Sequence, residues 1–229
     1  TRLRTVTGVQ TCALPICAEM AFQKSPDWNL SPLDALQIYA LKPSPAFEAA
    51  LYSGLRLADH PLARTTVVSQ FCRHVGIAFQ VLNDLKDWQG DSDNKLVAGQ
   101  DAASLRPTVL LALALKDGTD SQRTELQAIL TGQQDCGGPE ARVRRLREIF
   151  EACEVFDKAE VLVERLREKA EGLLEDITDA PIRDLLRFFT ETVLAKELPP
   201  TNLEANPGIL VQLNTVTNGS VSLLPVIRM

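Results

Sequence analysis

Residues Phe79–Thr108 read FQVLNDLKDWQGDSDNKLVAGQDAASLRPT, and the opening of this stretch decides what the chain can be. No Gly or Pro falls between Phe79 and Gln89, so these residues can run as one helix. At about 100° per residue, Gln80, Asn83, Asp84, Asp87 and Asp91 share an arc of roughly 100°. Phe79, Val81, Leu82, Leu85 and Trp88 cover the rest of the helix with apolar surface. Like charges stacked at this spacing cost roughly 0.2–0.5 kcal/mol per pair. A solvated acidic face is the ordinary outcome of such a row. The chemical alternative is a positive partner opposite it, and a hard divalent cation with oxygen ligands suits that place.

The surrounding composition narrows the choice. The chain has 229 residues, 45% of them hydrophobic and only 5% aromatic, which supports a core of packed helices built on Ala and Leu. A net charge of -6 argues against a nucleic-acid partner. The longest apolar run, Val109–Leu115, is far short of the roughly 20 residues that a membrane span needs. Cys12, Cys17, Cys72, Cys136 and Cys153 show no metal-ligand spacing and read as reduced thiols of a cytoplasmic protein. Two histidines, His60 and His74, leave little basis for a His-based metal site.

Outward from the stripe, helical signals fill the body. Ser31 and Pro32 open a helix to Ala40, Pro43 and Pro45 interrupt it, and Ala46–Ala58 restarts with small residues. After a turn at Asp59–Pro61, Leu62–Gln89 is expected as one long helix ending at Gly90, with a loop over Asp91–Ala103. Thr108–Lys116 and Ser121–Leu130 follow as helices. Amphipathic stretches run from Glu140 to Cys153 and from Val155 to Leu174, and Asp179–Lys196 closes the body with Pro181 in its first turn. The body, residues 17–196, is therefore expected to be all-α. Residues 197–229 form a breaker-rich linker and a tail with a hairpin signal at Asn218-Gly219. At the other end, Val6–Ile16 (VTGVQTCALPI) back-translates into a common sequencing-library adapter. Residues 1–16 are accordingly expected to be an assembly artefact, with the biological sequence starting near Cys17.

From about Ser31 to Lys196 the chain resembles the trans-polyprenyl diphosphate synthases, the polyprenyl synthetase family. Their second aspartate-rich motif reads FQxxDDxxD, followed by a loop lysine, a GxD and a basic residue before Pro-Thr or Thr. Here Phe79 and Gln80 match, Asn83 stands where the first Asp is usual, and Asp84 and Asp87 match the others. Gly90-Asp91, Lys95, Gly99 with Asp101, and Arg106-Pro107-Thr108 follow in register. Upstream, Lys42 sits where the family has a Lys-Thr pair, with Pro43 replacing the Thr.

The resemblance implies an isoprenoid synthase type I-like helical bundle and a Mg2+-dependent prenyltransferase that condenses isopentenyl diphosphate with an allylic diphosphate. It implies catalytic roles for Gln80, Asp84 and Asp87, metal contacts at Asn83, Asp84, Asp87 and Asp91, and diphosphate contacts at Lys42, Lys95 and Arg106. It also implies a homodimer for the full-length parent. The chemistry is consistent with these residue types, because pyrophosphate leaves only when its charge is neutralised by cations. Two departures stand out. Asn83 is a weaker ligand for a hard cation than Asp, and nothing like DDxxD precedes Lys42. Together with the adapter reading, the second departure leads to the expectation of an N-terminally truncated, inactive fragment. Asn83 and Pro43 keep open a non-catalytic regulatory homologue. A terpene cyclase of the same fold is a further alternative, although it would place Ser or Thr and then Glu where Asp87 and Asp91 stand.

Overall fold

The computed structural model describes residues 8–24, 26, 28–89 and 99–195. Among them are ten α-helices and no strand. Helix α1 spans Gly8–Lys24, α2 Pro32–Ala40, α3 Ser44–Leu57 and α4 Val67–Gln89, with a 3-10 turn at Pro61–Arg64 before α4. Then follow α5 Gln100–Ala103, α6 Val109–Asp117, α7 Asp120–Leu130, α8 Pro139–Ala152, α9 Val155–Glu175 and α10 Ala180–Val193.

Helix α4 is the pivot. Phe71, Cys72, Val75, Ala78 and Val81 have no exposed surface, and Ile77, Leu82, Leu85 and Trp88 are buried beside them. A helix that is apolar around most of its girth must be enclosed by others. Its largest partner is α9, which contributes Val155, Ala159, Val163, Leu166, Ala170 and Leu174 at three- and four-residue intervals. Helix α3 packs on another side, and its approach is close because residue 76 is Gly. A Cβ there would lie 2.8 Å from the Ser44 Cα and 2.9 Å from the Ser44 nitrogen. The aromatic rings of Trp88, Phe150 and Phe156 tie α4, α8 and α9 together, with Trp88 and Phe150 centroids 4.9 Å apart.

The cap expected at Ser31 is present, and three more start later helices. Ser31 and Asp34 form a reciprocal capping box on α2, with Pro32 in the first turn. Thr108, Thr119 and Asp179 cap α6, α7 and α10. One boundary differs: the expected helix over Leu62–Gln89 is split, and α4 starts at Val67. Thr65 adopts extended backbone, and its hydroxyl donates to the Leu62 carbonyl at 2.9 Å. A β-branched hydroxyl residue bonding back in this way competes with helix continuation. The expected loop over Asp91–Ala103 contains the single turn α5, and α10 ends at Val193 rather than Lys196. Between α8 and α9 the chain turns at Glu154, a non-Gly residue with φ of 55°.

Cys72 and Cys153 are buried, Cys136 is half-buried and Cys17 is exposed, all as free thiols. Among the described residues no helix is long and apolar enough to cross a membrane. The described body is one unit that closes at Leu194. The hairpin expected at Asn218-Gly219 lies outside the described residues, as do Asp91 and Lys95.

Candidate functional site

The expected site residues gather where the C-terminal end of α2, the middle of α4 and the start of α6 meet. Pro43 stops α2 just after Leu41 and caps the start of α3, leaving Lys42 in the break between two helices. Three residues earlier Tyr39 is buried, with 3% of its surface exposed. Its hydroxyl donates to Asp84 Oδ2 and accepts the Val109 N–H at 2.8 Å. Val109 opens α6, whose first N–H groups have no partner inside the helix. One phenol oxygen therefore joins α2, α4 and the positive end of α6.

Asp84 is 2% exposed, and its other oxygen, Oδ1, accepts the Gln80 amide N–H at 3.1 Å. Burial drives its pKa from 3.8 up to about 7, against the hydrogen bonds of Tyr39 and Gln80 and the charge of Lys42, which pull it down. The carboxylate of Asp101 adds to the rise. Tyr39 is pushed well above the ordinary phenol value, by burial first and then by the charge of Asp84.

One turn on, Asp87 Oδ2 accepts the Asp101 N–H at 3.1 Å, and the Asp87 carbonyl accepts the Gly99 N–H at 3.0 Å. Gly99 has φ of +75°, and a Cβ there would sit 3.2 Å from both the Trp88 ring and Val143. At the end of α4, the Arg147 guanidinium lies 5.6 Å from the Trp88 ring centroid and donates to the Trp88 carbonyl. The chain thus returns to the last turn of α4 at Gly99, bringing Asp101 with it. Asp101 then pairs with Arg106 at 2.7 Å, and the Arg106 N–H donates to the Asp101 carbonyl at 3.0 Å. Arg106 keeps 49% of its side chain exposed. Lys42 Nζ contacts Glu19 Oε1 of α1 at 2.6 Å, and Asn83 is half-buried on α4.

The structure brings Lys42, Gln80, Asp84, Asp87 and Arg106 into one region. Their arrangement does not fit a divalent cation on Asp84. Both of its oxygens are engaged, Asn83 carries no charge, and among the described residues no group of three or more His, Cys, Asp or Glu side chains could hold a metal ion. What the region offers is two partly exposed cations, Lys42 and Arg106, around a buried acid, a setting for an anionic ligand. Tyr39 and Glu19 were not legible as site residues. Tyr39 reads as one more apolar position of α2, although a phenol one turn before Lys42 carries a polar tip that burial must satisfy. Glu19 is far from Lys42 in sequence and carries no spacing signal.

Comparison with known proteins follows the same direction. The family model described as polyprenyl synthetase matches residues 10–150. Among curated proteins none matches. Among solved structures, geranylgeranyl pyrophosphate synthetase from Pyrococcus horikoshii is similar at 17% identity and a TM-score of 0.68, over 83% of this chain and 56% of that one. A geranylgeranyl pyrophosphate synthase from Corynebacterium glutamicum, complexed with isoprenyl diphosphate and magnesium, shares 21% identity at a TM-score of 0.70, over 82% and 53%. A polyprenyl synthase from Caulobacter crescentus, complexed with calcium and isoprenyl diphosphate, shares 21% at 0.68, over 86% and 60%. At these identities the likeness is one of fold, and the chain spans little more than half the length of these three structures.

Proposed function

The chain belongs to the polyprenyl synthetase family, and from that premise we propose that its site binds the diphosphate group of an isoprenoid diphosphate, as part of a prenyltransferase acting on isopentenyl and allylic diphosphates. The observation that carries the reading is the convergence of Lys42 and Arg106 on the buried Asp84 region, from segments 64 residues apart in the sequence. Solved relatives hold isoprenyl diphosphate together with magnesium or calcium, which supports a divalent cation for the whole reaction. When bound, such a cation would supply positive charge to the pyrophosphate group, and of the described carboxylates Asp87 rather than Asp84 would help to hold it.

The roles of this chain's own residues follow from their chemistry. Lys42 and Arg106, joined by Lys95, neutralise non-bridging oxygens of the diphosphate. Asp101 holds the Arg106 fork in orientation through the 2.7 Å pair. Gln80 fixes Asp84 through the hydrogen bond to Oδ1. No side-chain nucleophile is needed, since the second substrate's double bond supplies the electron pair. Residues 1–229 carry one aspartate-rich stretch and, on this reading, do not turn over by themselves.

Calorimetric titration of the full chain with inorganic pyrophosphate tests the proposal. Saturable binding is expected, weakened about tenfold or more by Lys42→Gln and by Arg106→Gln, the loss of one charge-assisted contact. Binding that ignores both substitutions would remove the diphosphate reading. Asn83 and the engaged Asp84 favour one second reading, a non-catalytic homologue that binds diphosphate without ionising it. Full-length protein that binds pyrophosphate but makes no product from the two substrates would decide for it.

A further inference from the structure

We infer that Asp84, although it stands in the acidic stripe, serves this chain as a hydrogen-bonded strut rather than as a cation ligand, and that Tyr39 is the positioning residue that holds it so and aims Lys42. The Lys42 part of the inference rests on the diphosphate reading above; the strut does not.

The bonding capacities of the groups carry the argument. Tyr39 has one hydroxyl proton. The Val109 N–H can only donate, so it occupies a lone pair of the phenol oxygen and leaves the proton for Asp84 Oδ2. Gln80 supplies the donor for Oδ1 at 3.1 Å. The Tyr39 hydroxyl, both Asp84 oxygens and the Val109 N–H each have a partner, and both Tyr39 and Asp84 are almost wholly enclosed. Mg2+ requires near-octahedral oxygens at about 2.0–2.1 Å and usually keeps several waters. A carboxylate that is 2% exposed has no open side for that shell, and a cation would have to displace Tyr39 or Gln80 to reach it.

The same bonds set the place of Lys42. Tyr39 lies in the last turn of α2, and Lys42 is the residue after its C-cap, directly before Pro43, the N-cap of α3. Holding the Tyr39 hydroxyl between α4 and the first N–H of α6 fixes the end of α2, and the backbone of Lys42 with it. Removal of one oxygen atom from Tyr39 leaves the Asp84 carboxylate and the Val109 N–H short of a partner while keeping the ring that fills the space.

Four variants of the full chain separate the alternatives: Tyr39→Phe, Asp84→Asn, Asp87→Asn and Lys42→Gln. Two probes are used, inorganic pyrophosphate without metal, by calorimetry, and Mn2+ at pyrophosphate concentrations that saturate each variant, by electron paramagnetic resonance. The expected result is that Y39F and D84N each weaken metal-free pyrophosphate binding by about tenfold, as K42Q does, while Mn2+ uptake stays within about twofold of the unsubstituted chain. A D84N protein that loses Mn2+ affinity as far as D87N does, with Y39F leaving pyrophosphate affinity unchanged, would overturn the inference. Should D84N fail to fold, the near-isosteric Y39F carries the pyrophosphate measurement alone. Should the unsubstituted chain take up neither ion, the diphosphate reading falls and melting temperatures decide the strut. The Y39F, D84N double variant then has to melt close to the less stable single variant, and additive losses would reject the coupling.

Discussion

At the scale of single residues, Asp84 concentrates the conflict between charge and burial. Its folded-state pKa of about 7 lies above the ordinary 3.8, because desolvation outweighs the donors that surround it. The folded chain therefore holds this proton more tightly than the unfolded chain does. The stabilisation is complete below pH about 4 and is lost as pH rises towards and through about 7. Asn at this position does not titrate, so the stability of the native chain relative to D84N should fall by about 2–3 kcal/mol between pH 5 and pH 8. Urea unfolding of both proteins at the two pH values measures it. A difference that does not change with pH would mean that the carboxyl group is already ionised at pH 5. Tyr39 offers a second check by absorbance. Its ionisation band near 295 nm, isolated as the difference between the native chain and Y39F, should stay absent until alkaline unfolding, since burial and Asp84 both oppose the phenolate.

Among the helices, the decisive contact is the crossing of α3 and α4 at Gly76. Any side chain at position 76 meets the backbone of Ser44, which cannot rotate away, so α3 must shift. Gly76→Ala is expected to cost about 2–3 kcal/mol through this overpacking, although alanine has the higher helix propensity. Because α3 begins two residues after Lys42, the same shift should weaken pyrophosphate binding. Thermal unfolding and calorimetry on one preparation check both effects, and an alanine variant as stable as the parent would show that the two helices have room to part. The helices themselves were largely legible in advance. Ser31, Pro32, Thr108 and Asp179 mark starts that local chemistry enforces, and α9 declares its buried face by periodicity. The break before α4 was not, because it depends on Thr65 choosing its own hydrogen bond over the next helical turn. The site was legible by motif for Lys42, Gln80, Asp84, Asp87 and Arg106, whose order along the chain carries the pattern. It was illegible for Tyr39 and Glu19, whose roles arise only when α1 is folded against α2 and α2 against α4 and α6.

For the molecule as a whole, the question is whether the described bundle unfolds as one body. The half of the bundle that holds the site hangs on α4, and the helices after it return to α4 through α9 and the aromatic group of Trp88, Phe150 and Phe156. Phe150 has no exposed surface and touches both other rings, so it transmits packing from α8 to the helix that carries Asp84 and Asp87. Phe150→Ala removes a buried ring and leaves a cavity, at an expected cost of about 3–5 kcal/mol. Against a typical total of about 5–15 kcal/mol, this is a large share of the stability of the fold. If the bundle is one cooperative unit, the loss appears equally in far-ultraviolet circular dichroism and in tryptophan fluorescence, and the two urea transitions of F150A coincide. If α7 and α8 form a separable part, helix signal is lost first, while Trp88 and the pyrophosphate site persist to higher urea. Coincident transitions, accompanied by loss of pyrophosphate binding at the same midpoint, are the expected outcome, because α2 packs on α4 directly and α6 is joined to α4 through α2 and α9.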